Sequence, residues 1–208
     1  MPQLIKGASL ETRLLTSLVL SLTLVSCCPA TSYKTAVPRL TPEQLLVDIS
    51  AFPVGWYVDI PPHVTDNEIG QLDDLWVTFS WRPLGPSATQ EIYCFRREKR
   101  ATVEYERQMH EQFFNAERLT PWESPVQLPY VSRVAGQFRL ACANFRDYPS
   151  GQFTLCVAMA QYDECLSIFG TQVSPEYMTF ENLEKVLVAI DSQAETALQA
   201  SPDGVVSP

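Results

Sequence analysis

The sequence predicts an α+β domain, a mostly antiparallel sheet of about six strands with three helices packed on its faces. Three observations predict it. Strand-like runs recur at six places, and those at 138–145 and 153–159 are apolar on both faces, so the sheet they form is covered on both sides. Three segments carry helix-start signals or apolar stripes at helical spacing. Short turn sequences separate the last three strands, which makes them a meander rather than a set of crossovers.

Taken in order, Thr41-Pro42-Glu43-Gln44 is a helix start, with Thr as N-cap, Pro at the first helical position and Gln completing a capping box. Leu45, Leu46 and Ile49 then share a face until Pro53. Trp56, Val58 and Ile60 alternate as a strand over 55–60, and Leu75, Val77, Phe79 and Trp81 as another over 75–81. Residues 91–96 form a third. The stretch 98–119 stacks Tyr105, Met109, Phe113 and Ala116 among charges, the pattern of a half-buried helix. A Pro-rich loop with Pro121, Pro125 and Pro129 follows. Strands over 136–146 and 152–161 flank the turn around Pro149, and a second turn at 162–164 leads into a strand over 165–172. Thr179 caps a last helix striped by Leu183, Val186, Leu187, Ile190, Ala194 and Ala197.

The N-terminus has another purpose. Lys6 and Arg13 precede an uncharged run from Leu14 to Ser26. Crossing a bilayer takes about 20 apolar residues, whereas this length matches the hydrophobic region of an export signal. It ends in Leu24-Val25-Ser26-Cys27, which resembles the lipobox of bacterial lipoproteins: aliphatic, small or branched, small, then Cys. The resemblance implies that the Cys27 thiol takes a diacylglyceryl group and that cleavage falls between Ser26 and Cys27. Acyl chains of the palmitate kind then hold the protein to a cell membrane on its extracytoplasmic side. An uncleaved anchor, or an ordinary secretory signal with an incidental Cys pair, is the alternative. The expected organisation is a signal peptide over 1–26, a lipidated tether over 27–40, one domain over 41–198 and a disordered tail over 199–208. Over 41–198 the helix, meander and closing helix resemble small extracytoplasmic lipoprotein domains and the sensor domains of bacterial transmembrane kinases. No motif is shared with these, so no functional residue carries across.

The formal net charge is −9, and loss of Lys6, Glu11 and Arg13 with the signal makes the chain more acidic by one unit. Nucleic acid is excluded as a partner, because its binding draws on Lys and Arg neutralising phosphates. Six cysteines stand at 27, 28, 94, 142, 156 and 165. Export favours disulfides. With Cys27 lipidated and Cys28 in the tether, four cysteines remain, with three possible pairings. A hairpin centred on Pro149 places Cys142 opposite Cys156, Leu140 opposite Ala158 and Phe138 opposite Ala160, so large side chains face small ones. Directly opposed cysteines can be bridged, and that pairing leaves Cys94 for Cys165. Four buried free thiols are the alternative.

Chemistry-bearing groups are sparse. Glu106 and His110 lie one helical turn apart but lack a third ligand at a recognisable spacing, and an exposed charged pair explains them. Asp66, Glu68, Asp73 and Asp74 gather in one loop whose glycine is misplaced for a calcium loop, and solvated carboxylates explain those. Arg96, Arg97, Lys99 and Arg100 form the one basic cluster, which suits lipid head groups, an acidic partner, or simply a charged helix entry. Phosphate-binding glycine loops and a nucleophile elbow are absent from the sequence. The reading is therefore a non-enzyme with no catalytic residue, metal or cofactor: a membrane-tethered binding or accessory module for an envelope protein or small ligand. Trp122, Tyr130 and Trp76 are its candidate interaction surface. A cell-envelope enzyme of unidentified class and a structural envelope protein are the alternatives.

Overall fold

The computed structural model describes residues 40–64, 73–83, 85–114, 118–147 and 151–200. All lie in the contact unit that begins at Ala36. The signal, Cys27, Cys28, Asp66, Glu68, Ala116 and the tail from 201 onward fall outside these residues.

Six strands form one antiparallel sheet: β1 Trp56–His63, β2 Asp73–Trp81, β3 Ser87–Cys94, β4 Gln137–Asp147, β5 Gly151–Tyr162 and β6 Cys165–Val173. Their spatial order is β1-β2-β3-β6-β5-β4, two three-stranded meanders joined where β3 pairs with β6. Helix α1 (Glu98–Phe113) connects the meanders, and helix α2 (Phe180–Ala200) closes the chain. The fold is α+β, with helical elements on both sheet faces. Among the described residues no helix is long and apolar enough to cross a membrane.

One face packs Val77, Phe79, Ile92, Leu140, Ala158 and Phe169 against Leu183, Val186, Leu187, Ile190 and Ala194 of α2. The other packs Tyr93, Val157, Met159, Leu166 and Ile168 against Ala101, Tyr105 and Phe113 of α1. Each large side chain buried in this way contributes roughly 1.5–3 kcal/mol. Thr179 caps α2 by accepting the Asn182 N–H at 3.2 Å, and every residue of the predicted α2 stripe is buried.

The predicted first helix takes a different form, two 3₁₀ turns at Pro42–Leu45 and Ile49–Ala51. Its start signal works, since the Thr41 N–H donates to Gln44 Oε1 at 2.8 Å. Propagation then stops because Gln90 of β3, fully buried, competes for the backbone. Its Nε2 donates to Leu45 O at 2.9 Å, and its Oε1 accepts the Val47 N–H at 2.9 Å. Leu46 is pulled into extended geometry between these bonds. Gln90→Leu strands two buried backbone groups and is expected to destabilise the domain by about 2–3 kcal/mol. Urea unfolding checks this, and an unchanged midpoint would remove Gln90 from that role.

The β4–β5 register is the one the turn sequence predicts, with Cys142 opposite Cys156, Leu140 opposite Ala158 and Phe145 opposite Phe153. Disulfides join Cys142 to Cys156 and Cys94 to Cys165. Elsewhere tertiary context intervenes. β1 breaks register between Val58 and Ile60 and again before His63, so of its predicted alternating residues only Trp56 is buried. Bulges and two prolines on an edge strand also discourage pairing with another chain. The opposite edge, β4, is covered by the Pro-rich loop, where Cys142 and Glu123 exchange backbone hydrogen bonds and the Leu119 N–H donates to Asn144 O. That bridge explains why α1 ends at Phe113 rather than running on to Leu119.

Candidate functional site

Helix α1 covers only part of its sheet face. Beyond its C-terminal end, alternate residues of three strands line a groove: Ser87, Thr89 and Glu91 of β3, Gly170 and Gln172 of β6, and Phe153 and Leu155 of β5 are exposed or half-buried there, and the buried Ile168 and Val157 complete the lining. Gln112 of α1 forms the wall. The period of two explains the grouping, because residues i, i+2 and i+4 of a strand face one side. The pairings Thr89 with Gly170, Gly170 with Val157 and Leu155 with Gln172 place them side by side. The result is a groove of about 300 Å³.

Its floor is Gly170. A Cβ at that position would sit 3.6 Å from Thr89 Oγ1 and 3.9 Å from Val157 Cγ2, ordinary contact distances, so glycine leaves space here rather than relieving a clash. Among the described residues Glu91 is the only ionisable one in the lining. Its Oε2 accepts the Tyr93 hydroxyl at 2.7 Å. Burial, followed by the charges of Glu91, Asp74 and Glu104, pushes the Tyr93 phenol well above its ordinary value and keeps it a donor. Next to the groove, Thr78 stands opposite Thr89 and Trp76 opposite Glu91. Thr78 Oγ1 and Trp76 Nε1 are buried without a hydrogen-bond partner among the described residues.

The three aromatics of the predicted interaction surface are not brought together. Trp76 lies on the groove side with His63 at 5.2 Å between ring centres. Trp122 packs edge-on against Phe113 and against Phe145, sealing the end of α1. Tyr130 belongs to the opposite face, where its ring meets Phe138 and lines a hollow of about 300 Å³ under the Pro-rich loop. His110 is exposed and stacks on Phe114, apart from His63. Among the described residues no three His, Cys, Asp or Glu side chains are grouped to hold a metal ion.

Four buried carboxylates escaped the sequence reading: Asp74, expected among solvated loop acids, is buried on β2, Glu164 is buried and accepts the Leu40 N–H, and Glu104 and Asp191 are buried on the two helices. Glu104, 2 % exposed, is paired with Arg107 and accepts from Gln108. Asp191 of α2 accepts three hydroxyls: Tyr162 at 2.6 Å, Ser132 at 2.9 Å and Tyr130 at 2.7 Å. Burial and the adjacent carboxylate hold the Tyr162 and Tyr130 phenols far above their ordinary range. A signal was present for Asp191, which lies one turn after Leu187 and three residues before Ala194, inside the apolar stripe. A carboxylate on a buried face requires donors, although their identity was not readable.

No family model and no curated protein matches this chain. Among solved structures it is similar to the extracellular domain of PknH from Mycobacterium tuberculosis, with a TM-score of 0.54 and 8 % sequence identity. The match covers 77 % of this chain and 99 % of that domain. At this identity the likeness is one of fold.

Proposed function

We propose that this chain is a membrane-tethered extracytoplasmic lipoprotein whose domain is a binding module, taking a small uncharged ligand in the groove beyond α1. The observation that carries the reading is the groove itself: part of a sheet face that is otherwise roofed by a helix is left as a concavity on a three-strand floor. Pockets of this kind are mostly apolar with a few placed polar groups. Here Phe153, Leu155, Val157 and Ile168 offer an apolar side, while Ser87, Thr89, Glu91, Gln112 and Gln172 offer hydroxyls, amides and one carboxylate. With a carboxylate and no Lys or Arg among the described lining residues, the site disfavours anions, and the set suits a ligand bearing hydroxyl or amide groups along one edge. The anchor is supported by the Leu24-Val25-Ser26-Cys27 tetrad, and the compartment by two disulfides, which persist outside the cytoplasm. The fold shared with an extracellular domain points the same way.

Two measurements test this. The intact mass of the detergent-extracted protein is expected to begin at Cys27 with acyl chains added, and an unlipidated chain removes the anchor. For the groove, neutral saccharides and uncharged peptides are screened by saturation-transfer NMR against the wild type and Gly170→Leu. The leucine fills the floor of a β-strand position with little effect on stability, within about 1 kcal/mol. Every groove ligand is expected to lose affinity at least about tenfold, since a blocked site forfeits more than 1.4 kcal/mol. Ligands that bind both proteins equally would place recognition elsewhere.

A further inference from the structure

The chain enters the domain at the corner from which its basic cluster projects. The Leu40 N–H donates to Glu164 Oε1 at 3.0 Å, and Cys165 Sγ lies 4.0 Å from Leu40 O. Cys165 is bonded to Cys94, and the Phe95 N–H donates to Glu164 O at 3.0 Å. Arg96, Arg97, Lys99 and Arg100 follow at once, all exposed. The entry of the tether and the cluster are thus fixed to one another through the β5–β6 turn and a disulfide.

We infer that this corner docks on anionic lipid head groups, with Arg96, Arg97 and Lys99 as the contacts. The inference rests on the anchor proposed above. From Cys27 to Leu40 the chain makes 13 residue steps, at most about 45 Å when fully extended. A lipid at Cys27 therefore keeps this corner within about 45 Å of the head groups. The domain as a whole is acidic. Screening over about 8 Å, however, makes the local charge decide what happens at contact. Among the described residues nearby, Glu98 is the acid within the run of four cations, Asp163 is half-buried in the β5–β6 turn beside Glu98, Glu164 and Asp74 are buried, and Asp73 is the exposed acid on the neighbouring strand. The positive end of the α1 dipole points the same way. Docking this corner sets the orientation of the groove. Ser87 lies seven residues along β3 from Cys94, about 23 Å at the strand rise, so the groove opens at the end of the sheet away from the membrane.

The test uses the full lipidated protein on phosphatidylcholine vesicles with and without about one-third phosphatidylglycerol. Amide hydrogen exchange is followed at residues 96–99. Exchange is expected to slow about fivefold or more on the anionic vesicles, roughly the attraction of one basic residue. The slowing should vanish at about 0.5 M salt and in R96E/R97E/K99E, whose core amides remain as protected as in the wild type. Equal exchange on both vesicles overturns the inference, as does slowing that survives the triple variant. Cross-linking of this corner to an acidic protein, with no response to phosphatidylglycerol, also overturns it. If mass measurement finds Cys27 unlipidated, the anchor fails separately. Salt-sensitive co-sedimentation of that protein with the anionic vesicles, lost in the triple variant, would still support the corner as a lipid-binding surface, and its absence would overturn both.

Discussion

Replacing Cys94 and Cys165 together by alanine is expected to cost about 4 kcal/mol of stability, against about 3 kcal/mol for the Cys142 and Cys156 pair. The difference follows from loop length, since the first bond spans 71 residues and the second 14. Closing the longer loop removes more freedom from the unfolded chain. For a domain whose total stability lies in the range of about 5–15 kcal/mol, the larger loss is a severe one. Urea unfolding of the oxidised wild type and the two double variants measures both effects. The order of the two midpoints is the critical result, and a greater loss from the shorter loop would show that strain or residual unfolded structure governs instead. The Cys94–Cys165 bond also holds together the corner where Leu40 meets Glu164 and where the basic cluster begins. Its loss should therefore raise hydrogen exchange at Phe95 before it raises exchange in α2.

Asp191→Ala is expected to destabilise the domain by about 3 kcal/mol or more, because it leaves the hydroxyls of Tyr130, Ser132 and Tyr162 around a vacated site. Asp191 ties the last helix to the Pro-rich loop and to the end of β5, so the loss is cooperative rather than local. The same cluster predicts an alkaline weakness. Tyr162, Tyr130 and Tyr93 are all held protonated, chiefly by burial and then by neighbouring carboxylates, with folded-state values above the ordinary 10.0. Their contribution is therefore complete below pH 10 and is lost as the pH rises beyond it, because the unfolded chain releases those protons first. The urea midpoint should be flat towards the alkaline side until about pH 10 and then fall. Tyr162→Phe should lower stability at neutral pH yet reduce the steepness of that fall. A midpoint that does not change above pH 10 would mean that these phenols ionise freely.

Much of the architecture could be read from local pattern. The α2 stripe and its Thr179 cap needed only helical spacing and one hydroxyl. The β4–β5 register followed from a turn at Pro149 and from large residues facing small ones, and the same register brings Cys142 to Cys156. The start of α1 was legible, but its end was not, because the bridge from Leu119 to Asn144 is a contact with a distant strand. The first half of β3 was also missed. Ser87, Ala88, Thr89 and Gln90 carry one apolar residue among three polar ones, and they are strand residues because β2 pairs with all four and β6 with Ala88, Thr89 and Gln90.

The candidate site lay further from what sequence can show. Its lining residues are unremarkable singly, and the groove exists because α1 stops short of the end of a sheet whose strand order places β6 between β3 and β5. The partners of Asp191 stand 29, 59 and 61 residues away along the chain. By itself, then, the sequence determined most of the elements, the hairpin register and the fold class, since these depend on periodicity and on neighbours within a few residues. Only the tertiary structure decided where the first helix breaks, which carboxylates are buried, and which part of the sheet stays uncovered, because each depends on groups that folding alone brings into contact.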